Sequence, residues 1–223
     1  MLQPALDWNL HTGNALITEQ LNYNCEEESN MAVTMVPQLN PKQQSSYNAV
    51  LSAVLSNSGK TFFLNRPGGT GKTFVYRALC HTLRGMGCIV LCVASSGIAA
   101  LLLSGRQTSH SMLKIPIEGL GPESYCSIDK EDTHTKLLRA ASLIIWNEVP
   151  MQHRFRPEAV SRTLMDIRND PCPFGGLTVV FSGDFRQILP VVRRGSPERI
   201  IGASVCQSSI WQKVQVLWLH RNQ

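Results

Sequence analysis

The stretch Thr61-Phe-Phe-Leu-Asn-Arg-Pro-Gly-Gly-Thr-Gly-Lys-Thr73 places a short apolar segment directly before a glycine-rich loop. Helical spacing then continues from Thr73 to about Arg84 and ends at Gly85, so the order is strand, loop, helix. In such a loop, glycines let backbone N–H groups close around phosphate oxygens, and the helix N-terminus adds partial positive charge. A glycine-rich turn that enters a helix by chance is the alternative, but it does not explain the flanking strand. The stretch predicts a nucleotide-binding loop made of Gly68, Gly69, Thr70, Gly71, Lys72 and Thr73.

Two side chains at the end of this loop have distinct expected roles. Lys72 is placed to reach the β- and γ-phosphates, and the hydroxyl of Thr73 to hold Mg²⁺. We therefore expect ATP and Mg²⁺ as cofactors, with Lys72 as a catalytic residue and Thr73 as a metal ligand.

The rest of the chain continues the alternation of strand and helix. Apolar strands are predicted at 87–94, 143–146, 177–181 and 214–219, with helices at 97–103 and around 160–167. Continuous apolar strands between helices are typical of a parallel sheet that is covered on both faces. The predicted fold class is α/β, and a nucleotide would lie at the carboxyl ends of the strands.

Composition limits the class of protein. The 223 residues are 43% hydrophobic and 17% charged, which suits a globular core rather than a disordered chain. The formal net charge of +5 is compatible with a nucleic-acid partner but does not require one.

Seven scattered cysteines without a CxxC pair indicate free thiols in a reducing compartment. No apolar run approaches the roughly 20 residues of a membrane span, and no secretory leader precedes the first polar segment. We expect an intracellular, nuclear protein.

Two segments outside the strands have their own predictions. Residues 1–38 are polar and show no clear core period, so we expect an accessory N-terminal arm ahead of a domain at 39–223. The domain's first helix begins at Asn40-Pro-Lys-Gln43, where Asn40 can cap and Gln43 can complete a capping box. Residues from about 114 to 135 are predicted to form a long surface insertion.

Nucleoside triphosphate hydrolysis also needs an acidic residue at the end of a neighbouring strand. Leu143-Ile-Ile-Trp-Asn-Glu148 ends in Glu148, which is placed to be the general base. The preceding Asn147 stands where an aspartate ligand of the metal is expected. Downstream, Val179-Val-Phe-Ser-Gly-Asp-Phe-Arg-Gln187 carries Gln187, which can bond the γ-phosphate or the attacking water, or can simply stabilise the turn.

The set of motifs resembles the PIF-type ATP-dependent DNA helicases of the superfamily-one class, and within them the helicase region of Helitron transposons. The resemblance covers roughly residues 14–223 in the family's order. The matching stretches are Leu39-Asn-Pro-Lys-Gln43, Pro67-Gly-Gly-Thr-Gly-Lys-Thr-Phe74, Ala94-Ser-Ser-Gly-Ile-Ala-Ala-Leu-Leu-Leu103, Thr108-Ser-His-Ser111, Leu143-Ile-Ile-Trp-Asn-Glu-Val-Pro-Met151, Phe174-Gly-Gly176 and Ser182-Gly-Asp-Phe-Arg-Gln-Ile-Leu-Pro-Val-Val192.

The resemblance implies a RecA-like motor domain that couples ATP hydrolysis to movement along single-stranded DNA. It also implies that Gln43 reads the adenine edge, a role that competes with the capping box. Ser95, Ser96 and His110 would lie along the DNA path, although a structural role for His110 is equally open. The family uses a second motor domain, which the resemblance places beyond Leu219.

Several residues depart from the family pattern. The family has glycine at Arg66 and Ser182, aspartate at Asn147 and alanine at Val149. Each of these substitutions can result from a single G-to-A or C-to-T change in the family's codon. Such changes are expected of cytosine deamination in a silenced transposon copy. A degenerate fragment and a catalytically inactive nucleotide- or DNA-binding module are therefore both open. A small-molecule P-loop kinase fits less well, because no segment resembles an acceptor-binding lid.

Overall fold

A six-stranded, all-parallel sheet forms the centre of the computed structural model, which describes residues 13–65, 71–101, 105, 107–129, 131–186, 190, 192 and 195–219. The strand order is β3-β2-β4-β5-β1-β6, and every pairing is parallel. The strands are β1 (Thr61–Asn65), β2 (Ile89–Ala94), β3 (Gln107–Thr108), β4 (Ala141–Asn147), β5 (Thr178–Gly183) and β6 (Val214–Trp218).

Helices cover both faces of the sheet, as predicted. Their bounds are α1 (Ala15–Leu21), α2 (Cys25–Met35), α3 (Pro41–Leu55), α4 (Lys72–Gly85), α5 (Gly97–Ala100), α6 (Ser109–Leu113), α7 (Thr133–Ala140), α8 (Phe155–Arg168) and α9 (Pro197–Gly202). Side chains along a strand alternate between the faces, so each strand supplies two separate cores. One core joins the sheet to α1, α6, α7 and α8, and the other joins it to α2, α3, α4 and α5.

The alternation is visible in the central strands. The first core contains Phe63, Leu91, Val93, Ile144, Trp146, Val179 and Phe181. The second core contains Phe62, Leu64, Val90, Cys92, Leu143, Ile145 and Val180. Strands buried on both faces have no polar side to reveal their period, which is why they stand out in the sequence as continuous apolar runs.

Residues 15–35 form two helices that pack on the domain. Ile17 of α1 and Met35 of α2 are buried, each in a different core. A Cβ on Gly85 would lie 3.0 Å from the backbone nitrogen of Ser29, so α2 approaches α4 closely. Few residues of these helices are buried, so their core period is too sparse to read in the sequence. The domain boundary after residue 38 stays a prediction.

The segment 114–135 is not wholly a surface insertion, contrary to the prediction. Ile115 and Cys126 are buried in the first core. The backbone N–H of Cys126 donates to the hydroxyl of Thr163 in α8, at 2.8 Å. Widely spaced apolar residues in a polar segment give no periodic signal, which explains the error.

Candidate nucleotide-binding site

Three charged side chains meet at the carboxyl ends of the central strands. Lys72 begins α4 after β1, Glu148 follows β4, and Asp184 follows β5. We expected Glu148 to follow the strand next to β1. Strand β5 instead lies between β1 and β4, so Glu148 follows the second strand from β1. Because parallel strands end at one edge of the sheet, the three residues still come together there.

Part of the predicted site lies outside the described residues. This applies to Arg66, Gly68, Gly69 and Thr70 of the loop, and to Gln187. Their predicted roles therefore stay predictions.

Gly71 is the point where the loop becomes helix α4. Its φ of 80° lies in the left-handed region, which favours glycine. A Cβ there would also collide with the side-chain amide nitrogen of Gln43. Helix α4 then starts at Lys72, and the exposed Thr73 lies in its first turn. The described end of the loop therefore leads directly into a helix N-terminus, and phosphate binding there stays a prediction.

Lys72 points across the sheet edge toward β5. Its Nζ donates a hydrogen bond to the carbonyl oxygen of Gly183 at 3.2 Å. Burial lowers the pKa of Lys72, and the carboxylates of Glu148 and Asp184 oppose that shift. The ammonium group is thus held at the strand ends, beside the two acids.

Glu148 has a strained backbone and a perturbed carboxyl group. Its φ and ψ of 57° and 40° are left-handed, which is uncommon for a residue other than glycine. Burial raises the pKa of Glu148, Asp184 adds to the increase, and Lys72 opposes it. A half-buried carboxylate with a raised pKa suits a general base, as predicted for this residue.

Asn147 is buried and its side chain is engaged. Its Oδ1 accepts a hydrogen bond from the hydroxyl of Ser182 at 2.8 Å, and both side chains are buried. The N–H and the hydroxyl of Ser95 both donate to the Asn147 carbonyl oxygen, each at 3.0 Å. Asn147 and Ser182, two of the positions predicted to depart from the family pattern, are therefore in direct contact.

Oxygen donors suitable for Mg²⁺ are present around this point. Mg²⁺ is commonly held by one or two carboxylates together with substrate phosphates. Glu148, Asp184 and the Thr73 hydroxyl are hard oxygen donors of the right kind, so the residues fit the ion. Asn147 offers a neutral amide oxygen that already accepts from Ser182.

Asn40 and Gln43 form the predicted capping box at the start of α3. The Gln43 N–H donates to Asn40 Oδ1 at 3.0 Å, and the Asn40 N–H donates to Gln43 Oε1 at 3.0 Å. The side chain is buried, with its amide nitrogen beside Gly71. Capping is thus confirmed, and adenine recognition by the nitrogen end stays a prediction.

Of the residues predicted along the DNA path, Ser95 and Ser96 form hydrogen bonds within the protein. Ser95 binds the Asn147 carbonyl, and Ser96 caps α5 by accepting from the Ala99 N–H at 3.3 Å. His110 lies in α6, where burial and the charge of Arg156 lower its pKa. Their roles toward DNA stay predictions.

Asp184 and Tyr76 belong to the site although no role was predicted for them. Asp184 is buried and accepts from the Arg186 N–H at 2.9 Å. The fully buried hydroxyl of Tyr76 lies near Ser182, and burial raises its pKa. Asp184 could have been found, because it follows a buried strand; nothing in the sequence links Tyr76 to Ser182.

Gly183→Ala is expected to destabilise the fold. Gly183 has a φ of 150°, and a Cβ there would collide with the Pro150 ring and lie 3.3 Å from Glu148 Cα. Overpacking of this kind costs about 1–3 kcal/mol. Urea unfolding measures the loss, with Gly121→Ala as the control because a Cβ at Gly121 meets nothing within 4 Å. Equal stability of the two variants would contradict the tight packing between β5 and the Glu148 turn.

Comparison with known proteins identifies relatives over most of the chain. The family model for PIF1-like helicase matches residues 38–223. The ATP-dependent DNA helicase Pif1 of Psychrobacter sp. is 32% identical over 170 residues, covering 74% of this chain and 26% of that protein. The ATP-dependent DNA helicase PIF1 of Homo sapiens is 27% identical over 180 residues, covering 80% and 26%. This chain thus spans about a quarter of the length of these two relatives.

Solved structures share the fold. The crystal structure of Pif1 helicase from Candida albicans matches with a TM-score of 0.64 and 25% identity, covering 83% of this chain and 40% of that one. Pif1 helicase from Bacteroides in complex with ADP-AlF3 and ssDNA matches with a TM-score of 0.65 and 22% identity, covering 80% and 42%. None of the helices within the described ranges has the length and apolar character that a membrane crossing requires.

Proposed function

This chain belongs to the PIF1-like helicase family, and from that premise we propose that it is the nucleotide-binding motor domain of an ATP-dependent DNA helicase. The observation that carries the proposal is the meeting of Lys72, Glu148 and Asp184 where α4 begins. The predicted nuclear location and the Helitron origin belong to the same proposal.

The proposed chemistry assigns a task to each side chain. Lys72 exchanges the Gly183 carbonyl for the β- and γ-phosphate oxygens, where its charge is better compensated. Glu148 orients the attacking water and accepts its proton, which its raised pKa favours. Thr73, Glu148 and Asp184 would hold Mg²⁺, which withdraws charge from the phosphates when it is bound. Gln187 would contact the γ-phosphate or the water.

A second candidate function is a catalytically inactive module that binds nucleotide or DNA. The Asn147–Ser182 hydrogen bond favours it, because a neutral, engaged amide replaces the carboxylate expected beside the metal. ATPase activity with and without single-stranded DNA separates the two candidates. Hydrolysis stimulated by DNA supports the motor; nucleotide binding without hydrolysis supports the inactive module.

We expect weak, sequence-indifferent binding to single-stranded DNA. The resemblance implies that the family grips a strand between two motor domains, and residues 39–223 would supply the contacts of one. Three or four basic contacts give a slope of roughly 2 to 3 for log affinity against log salt, because each neutralised phosphate contributes about 0.7. Binding should therefore be detectable at low salt, disappear near physiological salt, and be accompanied by no unwinding.

Fluorescence anisotropy over a salt series measures that slope. Lys72→Ala serves as the matched control, since it should leave DNA binding unchanged while removing nucleotide binding. Tight binding that persists at physiological salt would show that one domain holds a complete DNA site, which the proposal excludes.

A further inference from the structure

Two thiols touch each other in the core behind the nucleotide site. Cys80 lies on α4 and Cys92 on β2, and their Sγ atoms are 3.3 Å apart. Both side chains are buried, in the core that α4 shares with the sheet. Neither residue has a task in the proposed ATP chemistry.

A buried arginine lies beside this pair. Arg84 follows Cys80 by one helical turn and is only 4% exposed. Its guanidinium carbon lies 4.1 Å from the centre of the Tyr23 ring, and its Nε has no hydrogen-bond partner among the described residues. Within the same part of the chain Arg84 forms no ion pair with a carboxylate, so its charge is available to stabilise an anion nearby.

The charged and titratable groups that act on the thiols are few. Arg84 lowers the pKa of both, whereas Glu28 of α2 raises the pKa of Cys80. A hydrogen bond joins the two sulfurs, and either can be its donor; this contact lowers the pKa of Cys92 and raises that of Cys80. Glu28 is itself engaged by His81, whose Nδ1 lies 2.8 Å from its Oε2. Cys92 is thus the thiol that ionises first.

We propose that Cys80 and Cys92 are a redox-active dithiol that a hydroperoxide converts to a disulfide between α4 and β2. The Cys92 thiolate attacks one peroxide oxygen, the O–O bond breaks, and hydroxide leaves to give a sulfenic acid. The Cys80 sulfur then attacks the Cys92 sulfur, an S–S bond forms, and water leaves. Two thiols and one hydrogen peroxide give one disulfide and two waters, so the sulfurs are oxidised by two electrons.

The geometry requires only a short movement. A disulfide needs an S–S distance of about 2.05 Å, so the sulfurs must approach by roughly 1.3 Å from their present 3.3 Å contact. The bond would link α4 to β2, and α4 begins at Lys72, two turns before Cys80. Formation of the bond does not depend on the proposed function.

Peroxide titration of the full chain tests the proposal. The exposed Cys25, Cys172 and Cys206 are first replaced by serine. We expect hydrogen peroxide to remove two hydrogens from the folded protein, peptide mapping to link Cys80 to Cys92, and dithiothreitol to reverse the change. Cys126 is the internal control: it is buried with a pKa raised to about 11, and should stay reduced.

Variants of the arginine separate a redox role from simple packing. Arg84→Met keeps most of the volume but removes the charge, so the thiolate fraction of Cys92 falls and oxidation should slow by about threefold or more. Arg84→Lys should retain most of the rate. Failure to find the Cys80–Cys92 link in a folded chain, or a rate indifferent to Arg84→Met, would overturn the proposal. If Arg84→Met does not fold, Cys92→Ala decides: continued loss of two hydrogens in that variant would equally overturn it.

Discussion

Lys72→Ala is expected to abolish ATP binding. A hydrogen bond to a charged group contributes about 1.5–3 kcal/mol, and the ammonium is proposed to bond two phosphates at once. Losing both contacts lowers affinity by several orders of magnitude, below the range of a calorimetric titration. In the folded chain Lys72 donates to the Gly183 carbonyl oxygen and lies beside the carboxylates of Glu148 and Asp184, so the thermal stability of the variant is measured together with its ATP affinity.

Lys136→Ala is the matched control for this prediction. Lys136 is exposed on α7, far along the chain from the loop, and its removal changes the net charge equally. Isothermal titration calorimetry of both variants with ATP, at equal thermal stability, gives the comparison. Equal ATP affinity of Lys72→Ala and the parent would count against the whole nucleotide-binding proposal.

The sequence was sufficient to predict the layers of the fold but not the order of its strands. Continuous apolar strands are local patterns, and β1, β2 and β4 lie where they were expected. The position of β5 between β1 and β4 depends on which surfaces pair in three dimensions, and no local pattern encodes it. The assumption that Glu148 ends the neighbouring strand failed for that reason.

The sequence predicted the position of a site residue best where that residue directly follows a recognisable strand. Lys72 and Glu148 lie together as expected, since each follows a strand at the same sheet edge. Contacts between distant segments could not be predicted, and the Asn147–Ser182 hydrogen bond spans 35 residues. Considered separately, Asn147 and Ser182 would be predicted to be independent mutations in a degenerating gene. Their hydrogen bond shows that the two side chains form one buried polar pair.

Gln43 shows how a local signal can be correct and still incomplete. The capping box was readable from the spacing of Asn40 and Gln43 and is formed. The contact of its amide nitrogen with Gly71 brings the same side chain to the phosphate loop, which the spacing does not reveal. One residue therefore caps the start of α3 while its amide nitrogen lies beside Gly71.

Asn147→Asp is expected to restore dependence on Mg²⁺. A carboxylate at this position adds a charged oxygen to the metal site, and Mg²⁺ favours such ligands over a neutral amide. We expect the parent chain to bind ATP with weak Mg²⁺ dependence and to hydrolyse it orders of magnitude below ordinary enzyme rates. The combination of Asn147→Asp with Arg66→Gly should raise turnover, measured as phosphate release with and without single-stranded DNA.

Stability provides a second readout that does not require catalysis. Asn147 is 9% exposed, so an aspartate there would be a buried charge near Glu148 and Asp184. Buried carboxylates repel one another and destabilise the folded state. In the absence of metal, the variant should therefore melt at a lower temperature than the parent. Addition of Mg²⁺ and ATP should raise the melting temperature of the variant most of the way back to that of the parent, because the ion compensates the added charge.

Ser182→Gly, alone and combined with Asn147→Asp, shows whether the two positions act together. Turnover on the order of 1 s⁻¹ or more by the unmodified chain would contradict the prediction. So would a melting temperature of Asn147→Asp that Mg²⁺ and ATP leave unchanged.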